Sequence, residues 1–189
     1  MTESRDPVAR ELLQSIVGVA QAIFGAQASS IFLLDERADE LVFEAVSGRG
    51  EEFLVGMRFP ADRGIAGWVA TSGEPMVVDD LAHDPSFARD LAESTRYVPD
   101  ALMAAPLIHG TRILGVLEVL DPVQQSRSSL GELDLLALFA RQAAAALRIV
   151  LERRAADLPP VDRPDLNAGQ RATGLRLVEE LKELLRHAG

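Results

Sequence analysis

Residues Ala101 to Pro122 read Ala-Leu-Met-Ala-Ala-Pro-Leu-Ile-His-Gly-Thr-Arg-Ile-Leu-Gly-Val-Leu-Glu-Val-Leu-Asp-Pro, two apolar runs about a glycine-containing turn. Apolar runs of this length, bounded by turn residues, predict a β-hairpin. A Gly-rich segment, Gly64-Ile65-Ala66-Gly67-Trp68-Val69-Ala70, precedes it, and an Ala/Leu-rich stretch from Ser129 to Arg153 that reads as a long helix follows.

The rest of the chain supplies further elements. Asp6 is a candidate N-cap with Pro7 at the first helical position, the arrangement that suits the unpaired N–H groups of a helix start. Behind it Leu12, Ile16, Val19 and Ile23 form one apolar stripe, and Leu13, Val17, Ala20 and Phe24 a second. An apolar arc that wide has more to bury than one sheet face can cover. Ala28–Asp35 and Glu40–Ser47 predict a second hairpin about Glu36-Arg37-Ala38-Asp39. Between Glu51 and Gly73 the sequence predicts loops and short helices, with Ile65–Thr71 the helical turn; Pro75–Val78 predicts a short strand and Pro85–Tyr97 a lid helix. In the long helix Leu133, Leu136, Ala140, Ala143, Leu147 and Val150 alternate three and four apart, a heptad stripe. Asp157–Asp165 carries three prolines and reads as a semi-rigid linker, and Gly174–His187 as a short amphipathic helix. The expected organisation is a domain over 1–153, a linker over 154–166 and a terminal helix over 167–189.

Composition narrows the chemistry. With 48% hydrophobic and 25% charged residues, the 189-residue chain has the make-up of a soluble globular protein. No run approaches the ~20 apolar residues of a membrane span, and the N-terminus lacks an apolar signal segment, so the expectation is a cytoplasmic protein without membrane contact. A net charge of -10 argues against a nucleic-acid partner. The absence of cysteine excludes disulfides, thiolate metal sites, cysteine nucleophiles and thioether-linked chromophores. Asp79, Asp80, Asp84 and Asp90 crowd together beside His83, but their spacing matches no calcium loop and reads as a solvated acidic surface, so no metal is expected. There is no Gly-x-Ser-x-Gly turn and no Walker loop, and Gly48-Arg49-Gly50 lacks the third glycine of a dinucleotide fingerprint. The residues favour binding over turnover, and they name no cofactor.

The order helix, hairpin, Gly-rich connection, short strand, lid, hairpin, long helix resembles the GAF domain, a small-molecule-sensing module of signalling proteins. The resemblance is carried by Ser30-Ile31-Phe32-Leu33-Leu34-Asp35, by Gly64 to Pro75, by Val78-Asp79-Asp80, by Asp84-Pro85-Ser86-Phe87 and by Ile113 to Leu120, and it spans Val8 to Leu151. It implies an α+β, GAF/PAS-like fold: a central antiparallel β-sheet with long N- and C-terminal helices on one face and short lid helices over the other. It further implies a pocket under the Gly-rich helix and the lid, around Trp68, Asp79, Phe87, Tyr97, Met103 and Glu118. Members that bind cyclic nucleotides carry Asn-Lys after the last strand, where this chain has Asp121-Pro122, so a cyclic nucleotide is disfavoured. Bilin-attaching and sulfoxide-reducing members need cysteine, which removes both activities here.

The resulting expectation is a non-enzymatic sensory module that binds an unknown small molecule, a partner protein or both. It would dimerise through Leu12, Ile16 and Ile23 of the first helix and Leu136, Ala140, Ala143, Leu147 and Val150 of the last, and hand its signal to a protein partner. Two alternatives stand beside it: a ligand-free interaction scaffold with a filled pocket, and a haem-binding gas sensor with His83 as axial ligand.

Overall fold

The computed structural model describes residues 7–49, 53–94, 97–123 and 131–157. In chain order they form α1 (Pro7–Phe24), β1 (Ala28–Asp35), β2 (Glu40–Gly48), β3 (Arg58–Pro60), α2 (Gly64–Ser72), β4 (Met76–Val78), α3 (Arg89–Ser94), β5 (Leu102–His109), β6 (Arg112–Leu120) and α4 (Glu132–Asp157). The strands make one antiparallel sheet in the order β3-β2-β1-β6-β5-β4, with both expected hairpins in place. Strand β3 falls in the stretch expected to be loops and short helices; its Arg58-Phe59-Pro60 offers a single apolar residue and no pattern to register. The chain divides at Arg153, and every described strand lies on its N-terminal side.

Alternation along each strand sends side chains to opposite faces of the sheet. One face carries Ile31, Ala45, Met103, Leu107, Leu117 and Val119, which pack with Leu13, Val17, Ala20 and Phe24 of α1 and with Leu136, Ala140, Ala144 and Leu147 of α4. Each of the larger of these side chains, the Leu, Ile, Val, Met and Phe, contributes ~1.5–3 kcal/mol when taken from water, and their burial holds both helices to the sheet.

This packing corrects the expected dimer surface. Leu136, Ala140, Ala143 and Leu147 of the heptad stripe, together with Ile16, are spent inside the chain's own core, and Leu12 leans half-buried on the same cluster. A heptad stripe records a buried seam without saying whose surface covers it. Of the first-helix residues assigned to the interface only Ile23 is exposed, together with Val19 of the same stripe. The side chain of Val150 lies outside the described residues, as do the N-cap candidate Asp6, the proline-rich stretch after Asp157 and the helix expected over 167–189.

The opposite face carries Phe32, Leu41, Phe43, Val46, Leu102, Ala104 and Val116, covered by Ile65, Ala66, Val69 and Ala70 of α2 and by Leu81. The Gly-rich motif has a steric reason. Gly64 opens α2 at φ 70°, and a Cβ on Gly67 would sit 2.5 Å from the Asp62 carbonyl carbon and 2.9 Å from the Ala61 oxygen, so the helix can turn back this tightly only on a bare backbone. The lid is less helical than expected: α3 spans only Arg89–Ser94, because the Asp84 carboxylate accepts the Ser86 N–H at 2.7 Å and closes a turn instead. Among the described residues no helix is long and apolar enough to cross a membrane.

Candidate functional site

Between this second face, α2 and the lid lies a cavity of about 90 Å³. Its floor is the middle of the sheet, with Ser30 and Phe32 from β1, Phe43 and Val46 from β2, and Glu118 and Leu120 from β6. Gly64, Ile65 and Ala66 of α2 form one wall, and Phe87, Ala88, Ala92, Tyr97 and Pro99 close the cavity as the lid.

Three phenylalanines shape the floor. Phe32 and Phe43 have ring centroids 4.4 Å apart, and Phe59 of β3 stands edge-on to Phe32 at 5.3 Å. Phe43 faces the cavity because of a bulge. Ile31 pairs with Ala45 but Phe32 pairs with Phe43, so Glu44 is the extra residue and the alternation of β2 changes phase there.

Glu118 is the chemical exception in this apolar setting. It faces the cavity opposite Ser30 and Ala104 and is only 7% exposed. Its backbone carbonyl accepts the Ser29 hydroxyl at 2.9 Å, which holds the strand, whereas its carboxyl has no hydrogen-bond or ion-pair partner among the described residues. Burial, with nothing to offset it, pushes this carboxyl up to about 8.

Two cations reach the wall and neither serves Glu118. The Arg49 guanidinium lies 5.1 Å from the centroid of the Tyr97 ring, and Arg63 is paired with Asp90 of α3. Tyr97 donates its hydroxyl to Asp121. The same Asp121 carboxylate accepts the backbone N–H groups of Asp100 at 2.8 Å and Ala101 at 2.9 Å. Asp121 thereby ties the last turn of the lid to the end of β6, and it does so from a left-handed backbone, φ 49°, that aspartate tolerates better than most residues. Burial and the Asp121 carboxylate hold the Tyr97 phenol above its ordinary range.

Of the six residues expected around the pocket, Phe87, Tyr97 and Glu118 line it and three do not. Met103 occupies the β5 position facing the helices, one residue out of phase with Ala104, and is buried in that core. Trp68 is 41% exposed on α2, whose cavity side belongs to Ile65 and Ala66. Asp79 is exposed after β4. His83 is also exposed, bonded through Nδ1 to Asp80 at 2.8 Å, and does not line the cavity. No cluster of three metal-ligating side chains occurs among the described residues. The phenylalanine floor, Ser30 and the two arginines went unread in the sequence, because strand pairing assembles the floor and only the packing of the β2 end and the α2 start around it brings in Arg49 and Arg63.

Comparison with known proteins places this architecture. The cone cGMP-specific 3',5'-cyclic phosphodiesterase subunit alpha' of Mus musculus is 26% identical over 154 residues, 77% of this chain and 18% of that protein. A probable 3',5'-cyclic phosphodiesterase of Caenorhabditis elegans, pde-5, is 26% identical over 115 residues, 56% of this chain and 16% of that one. The chain thus spans under a fifth of the length of these two curated relatives. Among solved structures, the GAF domain of a phosphoenolpyruvate-protein phosphotransferase from Coxiella burnetii superposes with a TM-score of 0.69 at 21% identity, covering 80% of this chain and 89% of that one. The free methionine-R-sulfoxide reductase of Neisseria meningitidis, solved with its substrate, superposes with a TM-score of 0.57 at 26% identity over 78% of this chain and 81% of that one. The GAF domain model matches residues 9–147, from α1 through the buried part of α4, and with the same fold in these solved domains the chain belongs to the GAF domain family.

Proposed function

We propose that this chain is a regulatory rather than catalytic GAF module, which binds a small molecule between the sheet, α2 and the lid and passes occupancy to its helices. GAF domains are signalling and ligand-binding modules, and the observation that carries the reading here is Glu118: an unpartnered carboxyl buried in a cavity. Leaving such a group unsatisfied is costly, and an occupant that meets it removes the cost. Turnover has little support, since the chain holds no cysteine and the described residues of the cavity wall include no histidine.

Size bears on the occupant. At about 90 Å³ the cavity is well below the ~300–1,000 Å³ of sites that hold drug-sized ligands. A nucleotide of the kind named for the phosphodiesterase relatives would require the lid to move, and Asp121 is committed to holding that lid shut. A compact ligand fits the closed form.

The same small volume favours, as a second reading, a scaffold whose pocket is occupied by its own side chains. Native mass spectrometry on protein purified without denaturant separates the two. The first reading expects a reproducible added mass that disappears on denaturation. A clean mass that persists after incubation with cell extract would leave the scaffold.

A further inference from the structure

We propose that the cavity takes a small organic cation, an ammonium or amidinium head on a compact apolar body, with Glu118 as its counter-ion. The inference rests on the ligand-binding reading above and adds the chemical class of the ligand.

Three independent observations converge on that class. The carboxyl of Glu118 faces the cavity, is 7% exposed and has no partner among the described residues. Among the described residues no positive side chain pairs with it: of the two arginines on the same wall, Arg49 lies over the face of Tyr97 and Arg63 pairs with Asp90. The floor beside it is the Phe32, Phe43 and Phe59 cluster, with centroids 4.4 to 5.8 Å apart, and aromatic faces attract cations, most strongly where water is excluded. A neutral ligand would leave the acid protonated and forgo the charge-assisted bond, which is roughly twice as strong as a neutral one.

The binding step balances as a proton exchange. The empty site holds Glu118 as the acid, and a bound cation stabilises the carboxylate, so one proton leaves for solvent as the ion pair forms. Of the other groups facing the cavity, Arg49 and Arg63 are engaged by Tyr97 and Asp90, and Tyr97 keeps its proton near neutrality because burial and Asp121 hold it high. Affinity for a cation therefore rises with pH from 6 to 8 and levels off above.

Benzamidinium, benzamide and benzoate are near-isosteric probes that differ in charge. Isothermal titration of the full 189-residue chain should show benzamidinium binding, with benzamide and benzoate at least about tenfold weaker, the scale of one charge-assisted hydrogen bond. Repeating the titration in two buffers of different ionisation enthalpy at pH 7 should reveal a released proton, a readout that needs no variant. Glu118→Gln, with its fold checked by circular dichroism, should lose the preference for the cation. Equal or stronger binding of benzoate or benzamide would overturn the cationic class while leaving an occupied pocket. Binding of none of the three at millimolar concentration would also overturn it, and the pocket reading would then stand or fall on the native mass measurement alone.

Discussion

Buried without a partner, the Glu118 carboxyl holds its proton in the folded chain up to about pH 8, whereas the unfolded chain releases it near 4.5. Between those values the folded state binds more protons than the unfolded one, so stability falls as pH rises, and the full penalty is in place above about 8. Its size is on the order of a few kcal/mol. Urea unfolding at pH 5 and pH 9 should therefore show the wild-type chain losing stability at the higher pH and Glu118→Gln losing much less. Parallel curves for the two proteins would mean that Glu118 is solvated or paired. Asp35 works in the opposite sense. Its hydrogen bond from Arg58 holds it below the ordinary carboxylate range, so its contribution is present at neutral pH and lost on acidification through that lowered value. The two slopes are distinguishable because they act on opposite sides of the unfolded carboxylate range.

Strand β6 lies between β1 and β5, and at Gly115 the backbones come so close that a Cβ would stand 1.9 Å from the Phe32 oxygen. Gly115→Ala must push β1 away from β6, and the expected cost is at the upper end of the ~1–3 kcal/mol of an overpacked core, or above it. A fall in thermal midpoint of several degrees checks this; an unchanged midpoint would show that the strands separate freely. Such elements were unevenly legible in the sequence. Both hairpins and both long helices could be read because their periods run for eight residues or more. Strand β3 could not, because its one apolar residue, Phe59, stands between Arg58 and Pro60, and the lid was overread as helix because its composition hides the turn made by Asp84. The candidate site was legible at Phe87, Tyr97 and Glu118. Met103 was misassigned because nothing in an unbroken apolar run tells one strand face from the other, and Phe43 escaped notice because the bulge at Glu44 shifts its phase.

At the scale of the N-terminal unit, which ends at Arg153, the described residues form a sheet with a packed helical side and a hollow side. The helical side keeps some apolar surface beyond its own core: Val19 is 44% and Ile23 37% exposed on α1. If the chain pairs with a second copy, this outer stripe of α1 is where charge should matter. Val19→Glu should yield monomers by multi-angle light scattering with the thermal midpoint unchanged, whereas Leu147→Glu should unfold the chain, since that side chain is buried in its own core. A persistent dimer in Val19→Glu would move the interface off α1. The two sides of the sheet meet in β6, where Glu118 belongs to the hollow and its neighbours Leu117 and Val119 to the helices. A change of side chain at 118 can thus retune what enters the hollow without altering a single helix contact, while any displacement of the strand's backbone is felt in both compartments at once. Recognition can drift in evolution while transmission stays fixed, because one peptide plane is all that separates them.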